Sequence, residues 1–507
     1  MTTKRIVRPA FAFALACAVG GIFFLSGPVH ASADDSVTAI KVARIHVGNG
    51  EVIEPGIIII ENGRITAVGA DVNIPGGAKI IDMPEGSVTP GLIDANALLE
   101  PDDAFENSSS ASETQQRRRR RGVIEYMMHD GHSIPVAQCF MCDGTMACSL
   151  ANYHDDLEEG QVCPICGQNA DGEALVSGLV DGGSGPSLTE GSSEVVPNTF
   201  IIDSVNFASP DFDRLVRGGV TTVFASPDSA AVIGPRGAVV KTAGPLSERV
   251  LNDAADVKAT IGNEPSRSGG FNRTPNRGGV SLRARRPNSR MGVVWVFRKA
   301  FIDAESTENG RWLSGADQAT PEALDMVSEI RAGAVPLRIQ ARTQRDILTA
   351  IRVADEFGLS FTLLEGTEAY ECLNELRAKS IPVVFGPVYE DATGIRARSG
   401  EADESRLSTM RQLLDAGITT ALSAQDLREE DGLARQAMYA MRAGLTREEA
   451  LRAVTLTPAE MLGIDDQLGS IETGKQADLI LWSGEPFDAT SQPLTVFVNG
   501  KVAFSRK

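Results

Sequence analysis

Two short turns, one near each end of this 507-residue chain, constrain its fold most. Near the start, the apolar run Ile57-Ile58-Ile59-Ile60 stops at Glu61-Asn62-Gly63, and Arg64-Ile65-Thr66-Ala67-Val68 follows. Near the end, Val496-Phe497-Val498 stops at Asn499-Gly500, and Lys501-Val502-Ala503-Phe504 follows. Asn-Gly between such runs specifies a two-residue β-hairpin, because both turn residues need φ > 0. Two β-rich ends around a long middle predict one small β-domain, a sandwich, assembled from residues 37–88 and 466–507.

The middle alternates strand and helix signals. Gly219-Val220-Thr221-Thr222-Val223-Phe224 is a β-branched run, and Ile381-Pro382-Val383-Val384-Phe385 is another strand. Asp346 to Phe357 has helical spacing and stops at Gly358. Thr446-Arg447-Glu448-Glu449 is a capping box. Thr457-Pro458-Ala459-Glu460 opens a further helix, with Pro at its first position and Gly463 as its stop. Repeated β-then-α units predict a parallel α/β fold. With the termini and an insert removed, roughly 290 residues remain, which suits an eight-unit barrel. The expected architecture is a (β/α)8 TIM-like barrel over 89–465, a β-sandwich from both termini, and an inserted module over 100–185.

The first 33 residues read as an export signal. Lys4, Arg5 and Arg8 precede the apolar run Pro9 to Leu25, and Ala31-Ser32-Ala33 is a small-residue cleavage site. The alternative is an uncleaved membrane anchor over residues 9–28. A formal net charge of −19 argues against a nucleic-acid partner, since neutralising phosphates needs a basic face.

The insert begins acidic and Ser-rich and then carries Arg117 to Arg121, either a solvated linker or a site for an anionic partner. Cys139-Phe140-Met141-Cys142 and Cys163-Pro164-Ile165-Cys166-Gly167 follow. Two Cys-x-x-Cys turns facing each other supply four thiolates in a tetrahedron, and the pattern resembles a zinc ribbon. Such a site has no open position, so its zinc is structural. The second turn also resembles a rubredoxin knuckle, which leaves iron and electron transfer as an alternative. In an oxidising compartment disulfides compete with metal, and they would leave Cys148 and Cys372 over or mispaired. His129, His132 and His154 either replace one thiolate or lie in loops. The insert also offers a surface for a protein partner or for assembly into oligomers.

Several segments carry a family resemblance in order. They are Pro90-Gly91-Leu92-Ile93-Asp94, Arg217-Gly218-Gly219-Val220-Thr221-Thr222-Val223, Val335-Pro336-Leu337-Arg338-Ile339, Glu365-Gly366-Thr367-Glu368-Ala369-Tyr370 and Gly469-Ser470-Ile471-Glu472-Thr473-Gly474-Lys475-Gln476-Ala477-Asp478-Leu479-Ile480. Together they resemble the amidohydrolase superfamily, in the flavour of its imidazolonepropionase-like branch. The resemblance implies metal-dependent hydrolysis of non-peptide C–N bonds such as cyclic amides. It implies a metal held by a His pair after the first barrel strand and by His on the fifth and sixth. An Asp at the eighth strand would accept and return the proton.

This chain departs from that pattern at every histidine. The first-strand pair is Asn96 and Leu98, Gln340-Ala341-Arg342 replaces His-Ala-His, and Glu365 replaces the sixth-strand His. No histidine follows His154. Asp426 matches the eighth-strand acid. The resemblance therefore implies a degenerate, non-catalytic copy. The alternative is an active hydrolase with a hard cation on oxygen donors from Asn96, Gln340, Glu365 and Asp426. Against it, Leu98 donates nothing and Arg342 adds a repelling charge. Lys241 resembles a bridging carboxylated lysine, or it is a structural lysine.

Overall fold

Both Asn-Gly turns fold as their residue types demand. Asn62 and Gly63 have φ of 50° and 77°, and Asn499 and Gly500 have 51° and 71°. The computed structural model describes residues 37–99, 126–129, 132–135, 193–268, 287, 289–311, 319–388 and 406–506. Its strands are β1 (Thr38–His46), β2 (Val52–Ile53), β3 (Gly56–Glu61), β4 (Arg64–Gly69), β5 (Lys79–Pro90), β6 (Leu92–Ala97), β7 (Tyr126–His129), β8 (His132–Pro135), β9 (Val220–Ala225) and β10 (Ile233–Arg236). They continue with β11 (Ala238–Lys241), β12 (Val250–Asn252), β13 (Val257–Thr260), β14 (Leu337–Ala341), β15 (Phe361–Glu365), β16 (Val383–Phe385), β17 (Thr420–Leu422), β18 (Leu479–Trp482), β19 (Pro493–Val498) and β20 (Lys501–Ser505).

The two ends of the chain meet in one eight-stranded sheet, ordered β20-β19-β18-β5-β1-β3-β4 with β2 beside β1. Among the described residues these strands are hydrogen-bonded as one sheet. Its two hairpin turns touch: Ala477 donates to the Gly63 carbonyl at 2.8 Å and accepts from Gly500 N–H at 2.9 Å. Ile40, Ile45, Ile58, Ile60, Leu479, Leu481 and Phe497 form its core.

In the middle, β13 to β17 are parallel neighbours, as are β6 and β9. By hydrogen bonding they lie in two sheets, β10-β13-β14-β15-β16-β17 and β12-β11-β9-β6, and no closed ring of eight parallel strands is formed by ladder pairing among the described residues. β10 pairs antiparallel with β13, and β11 pairs antiparallel with β9, so one stretch of chain serves both sheets. Gly237 sits at the joint, where a Cβ would overlap the Phe224 ring. Gly91 has a similar task at the start of β6, since any side chain there would strike Thr221 of β9.

Helices flank these sheets: α1 (Pro210–Arg217), α2 (Arg290–Glu308), α3 (Gln344–Phe357), α4 (Leu433–Arg442), α5 (Arg447–Ala453) and α6 (Leu456–Leu462). The capping box at Thr446 and Glu449 is present in full. Helix α3 ends at Gly358 with φ of 68°, and α6 at Gly463 with φ of 66°, the left-handed stops that glycine adopts without strain. Helix α6 begins two residues before Pro458, because Thr455 rather than Thr457 precedes its first turn.

The terminal sheet is tied to the middle by two buried polar links. Lys241 of β11 donates to Asp478 at 2.9 Å and to Asn499. His46 of β1 lies with Nε2 3.3 Å from Glu485 and Nδ1 3.7 Å from Glu448 of α5. Neither nitrogen makes a well-aligned hydrogen bond among the described residues. Burial pushes the imidazole below its ordinary value of 6.5, against the pull of Glu485 and Glu448 and with the push of Arg447. The unfolded chain then takes the proton first, so acid favours unfolding as pH falls through 6.5 toward the folded value. We expect His46→Gln to flatten the stability slope between pH ~7.5 and ~5.5, the range where histidine titrates. Urea melts of both proteins across that range check it, and parallel slopes would refute the assignment.

Of the insert, only the β7–β8 hairpin is described. Residues 1–33 and the cysteines Cys139, Cys142, Cys163 and Cys166 lie outside the described residues. No helix among the described residues is long and apolar enough to cross a membrane.

Candidate functional site

The ends of β6, β14, β15 and β17 carry the residues that the resemblance marks as metal positions. Asp94 of β6 is 1% exposed and clamps this strand to the segment after β17. It accepts from Ser423 Oγ at 2.7 Å, from Ala424 N–H at 2.9 Å and from Asn96 N–H at 3.0 Å. Burial pushes the carboxyl above its ordinary value, while these hydrogen bonds and Arg428 pull it back. The Asp of the Pro-Gly-Leu-Ile-Asp tract therefore joins strands here.

Asn96 is fully buried, and its side-chain Oδ1 and Nδ2 find no hydrogen-bond partner among the described residues. Leu98 contributes backbone alone: its N–H donates to Gln425 O at 3.2 Å, and its carbonyl accepts from Arg428. Gln340 of β14 accepts at Oε1 from Ser229. Two residues before it, Arg338 lies over the Phe224 ring at 4.2 Å and donates to Ala95 O at 2.8 Å.

The centre of the cluster is Arg342, just past the end of β14. Its Nη1 meets Glu264, and its Nε and Nη2 meet the two oxygens of Glu365. Gln425 Nε2 donates to Glu365 Oε1 at 2.7 Å. All four side chains are buried. Glu365 and Gln425 hold φ of 69° and 53°, left-handed conformations that non-glycine residues adopt at a cost of roughly 1–3 kcal/mol each. The ion pair and hydrogen bonds offset that strain and fix where the two side chains meet.

A second buried guanidinium joins neighbouring segments. Arg428 grips Asp211 of α1 with Nε at 2.7 Å and Nη2 at 2.9 Å. It also donates to the carbonyls of Leu98, Gln425 and Leu427. It thus joins α1, the end of β6 and the segment after β17.

Two residues named from the sequence are placed here. From the segment after β17, the residue brought against Glu365 is Gln425; Asp426 is half-buried and acts on Arg428 through its charge. Gln425 holds a left-handed backbone, φ 53°. Lys241 is committed to Asp478 and Asn499, because β11 runs antiparallel to β9 and carries it to the terminal sheet. It is not a bridging ligand of this cluster. Glu264, Gln425, Asp211 and Arg428 went unread in the sequence. Gln425 follows a strand the motif had already marked; Glu264 stands in no motif.

The donors do not fit a catalytic metal of the kind the resemblance implies. Imidazole is absent from every matched position. Both oxygens of Glu365 are engaged by Arg342, Gln340 Oε1 is engaged by Ser229, and Leu98 offers no side-chain donor. Arg342 places a positive charge where a cation would have to sit. Among the described residues no group of three or more His, Cys, Asp or Glu is arranged to hold a metal.

The amidohydrolase family model matches residues 315–503. The structure of an amidohydrolase from Thermotoga maritima MSB8 superposes with a TM-score of 0.64 and 26% identity, covering 92% of this chain and all of that one. Over residues 315–503 the chain is similar to the amidohydrolase family, and its fold is of the amidohydrolase type. It is also similar to amidohydrolase tasK of Hapsidospora irregularis, 26% identical over 373 residues. That match covers 66% of this chain and 37% of tasK, so the chain spans little more than a third of that relative's length. Likeness to imidazolonepropionase of Shewanella frigidimarina is 60% over 38 residues, 8% of this chain and 9% of that enzyme. The family match thus spans residues 315–503, and the likeness to imidazolonepropionase is confined to a short segment.

Proposed function

We propose that this protein is a non-hydrolytic amidohydrolase-superfamily member, exported, of imidazolonepropionase-like ancestry, which uses the fold as a scaffold for binding or assembly. In this reading Cys139, Cys142, Cys163 and Cys166 hold a structural zinc in the insert, and the insert offers the surface for a protein partner. The observation that carries the reading is the Arg342 guanidinium between Glu264 and Glu365. Hydrolysis in this superfamily needs an ion that lowers the pKa of a bound water, and a guanidinium cannot do that. Its charge is fixed, and it has no open coordination position for a water.

The test is a metal count and an activity assay on the full chain. Wild type is expected to carry one zinc, and the variant with all four cysteines changed to Ser none. Cyclic amides and dipeptide analogues should turn over well below ~1 s⁻¹, an ordinary enzyme rate. A second metal that survives the cysteine changes, or turnover above ~1 s⁻¹ that Asp426→Ala removes, would overturn the proposal. One iron in place of zinc would turn the insert's role toward electron transfer.

A further inference from the structure

Alternation along the middle strands sorts their side chains into two sets. Val223, Ala259 and Ile339 belong to the apolar cluster that also holds Phe212 of α1, Phe297 of α2 and Ile347 of α3. Successive side chains on a strand point to opposite faces, so Thr222, Thr260, Arg338 and Gln340 turn away from those helices. Arg338 of β14 crosses to the other sheet. It lies over the Phe224 ring of β9 at 4.2 Å and donates at 2.8 Å to the carbonyl of Ala95 in β6, the residue before Asn96. Thr222 stands two residues before Phe224 on the same face, and Thr260 of β13 is the register partner of Gln340. Asn96, Thr222 and Arg338 are 0% exposed, and Thr260 and Gln340 are 1% exposed. Six of their polar atoms find no protein partner among the described residues: Asn96 Oδ1 and Nδ2, Thr222 Oγ1, Thr260 Oγ1, Arg338 Nη2 and Gln340 Nε2.

We infer that these five side chains line one internal site that binds ordered water, and that this water hydrogen-bonds the sheet of β6 and β9 to the sheet of β13 and β14. Buried donors and acceptors are costly to leave unpaired, and where the chain does not pair them ordered water does. The donor set selects the guest. Asn96 Nδ2, Arg338 Nη2 and Gln340 Nε2 are N–H donors, so the set repels a cation. The charge of Arg338 is already met by Asp256 at 2.5 Å, so an anion finds no unpaired cation here. What fits is a small uncharged molecule that donates and accepts at once. Water does both, and a buried water ordinarily makes about two to four hydrogen bonds. The site goes beyond the non-hydrolytic reading and does not depend on it.

A crystal structure of the full wild-type chain tests this, together with a double variant, Thr222→Val with Thr260→Val. Wild type should show ordered water within about 3.2 Å of Gln340 Nε2 or Arg338 Nη2 and within the same reach of a polar side chain on β6 or β9. The double variant nearly keeps side-chain volume and removes two hydroxyls. With water bound, the change strands that water's other partners, so the urea midpoint should fall. In a dry interior it removes two unpaired hydroxyls, and the midpoint should rise. Magnetic relaxation dispersion of water oxygen should also count fewer long-lived internal waters in the variant than in wild type. A dry interior, side chains paired directly with one another, or a midpoint that holds or rises would overturn the inference. If the variant does not fold, the wild-type structure decides alone. A metal ion among these side chains would sink the non-hydrolytic reading as well, whereas a dry interior would leave that reading standing.

Discussion

Arg342→Ala, measured without added metal, should lose about 3–5 kcal/mol of stability. The magnitude follows from what the substitution leaves behind. Glu264 and Glu365 stay buried, and the charge that neutralised them is gone. Removing one partner of a buried pair costs more than the pair contributes, because the remaining charge is desolvated and uncompensated. Glu365 must also keep its left-handed backbone without the contact that offset it. Arg345, three residues on, is a built-in comparison. Its ion pair with Asp346 spans 3.7 Å and its side chain is 66% exposed, so Arg345→Ala should change stability by less than ~1 kcal/mol. Urea unfolding of both variants reads the difference directly. Equal, small losses would mean that water reaches the Arg342 cluster and that it is no buried ion pair.

Arg428→Ala should be comparably damaging, again about 3–5 kcal/mol. Here one guanidinium meets a bidentate carboxylate and three carbonyls, and it is the only described link among α1, Leu98 and the segment after β17 that uses all of them at once. Its removal leaves Asp211 with Arg214 at 3.1 Å as an ion-pair partner. The carbonyls that lose their donor cost roughly 1–3 kcal/mol each where water cannot replace it. Arg428→Lys should recover only part of the loss, because a point charge cannot span Asp211 and Leu98 together. Full recovery by lysine would show that charge alone matters and that the forked geometry does not. Both variants should lower the urea midpoint without changing the slope, if the native surface is otherwise intact.

These two arginines hold the strand ends together here. Arg342 links β14, β15 and the helix at Glu264; Arg428 links β6, α1 and the segment after β17. Asp94 adds a third tie through Ser423 and Ala424. Charge-assisted hydrogen bonds with fixed geometry can hold strand ends together, whereas they cannot activate a water as a metal ion does.

Much of this was readable from local rules. The Asn-Gly turns, the capping box at Thr446, the glycine stops at Gly358 and Gly463, and the buried β-branched runs depend on a few neighbouring residues. The chain also states plainly which residues are missing: Asn96, Leu98, Gln340, Arg342 and Glu365 stand where imidazoles would be needed, and no histidine follows His154. The likeness to amidohydrolases and the absence of histidine from the positions matched to it were therefore legible in residue identity along the chain. What replaces that set was decided only in three dimensions. Glu264 lies 78 positions before Arg342 and in no motif, Asp211 and Arg428 are farther apart still, and Gln425 rather than its neighbour Asp426 meets Glu365. Lys241 and the sheet that splits at Gly237 follow the same logic, since strand direction is a property of pairing and not of any local stretch. Residue types determine which chemistry is excluded; the meeting of distant charges, set by the cost of burying them alone, determines what stands in its place.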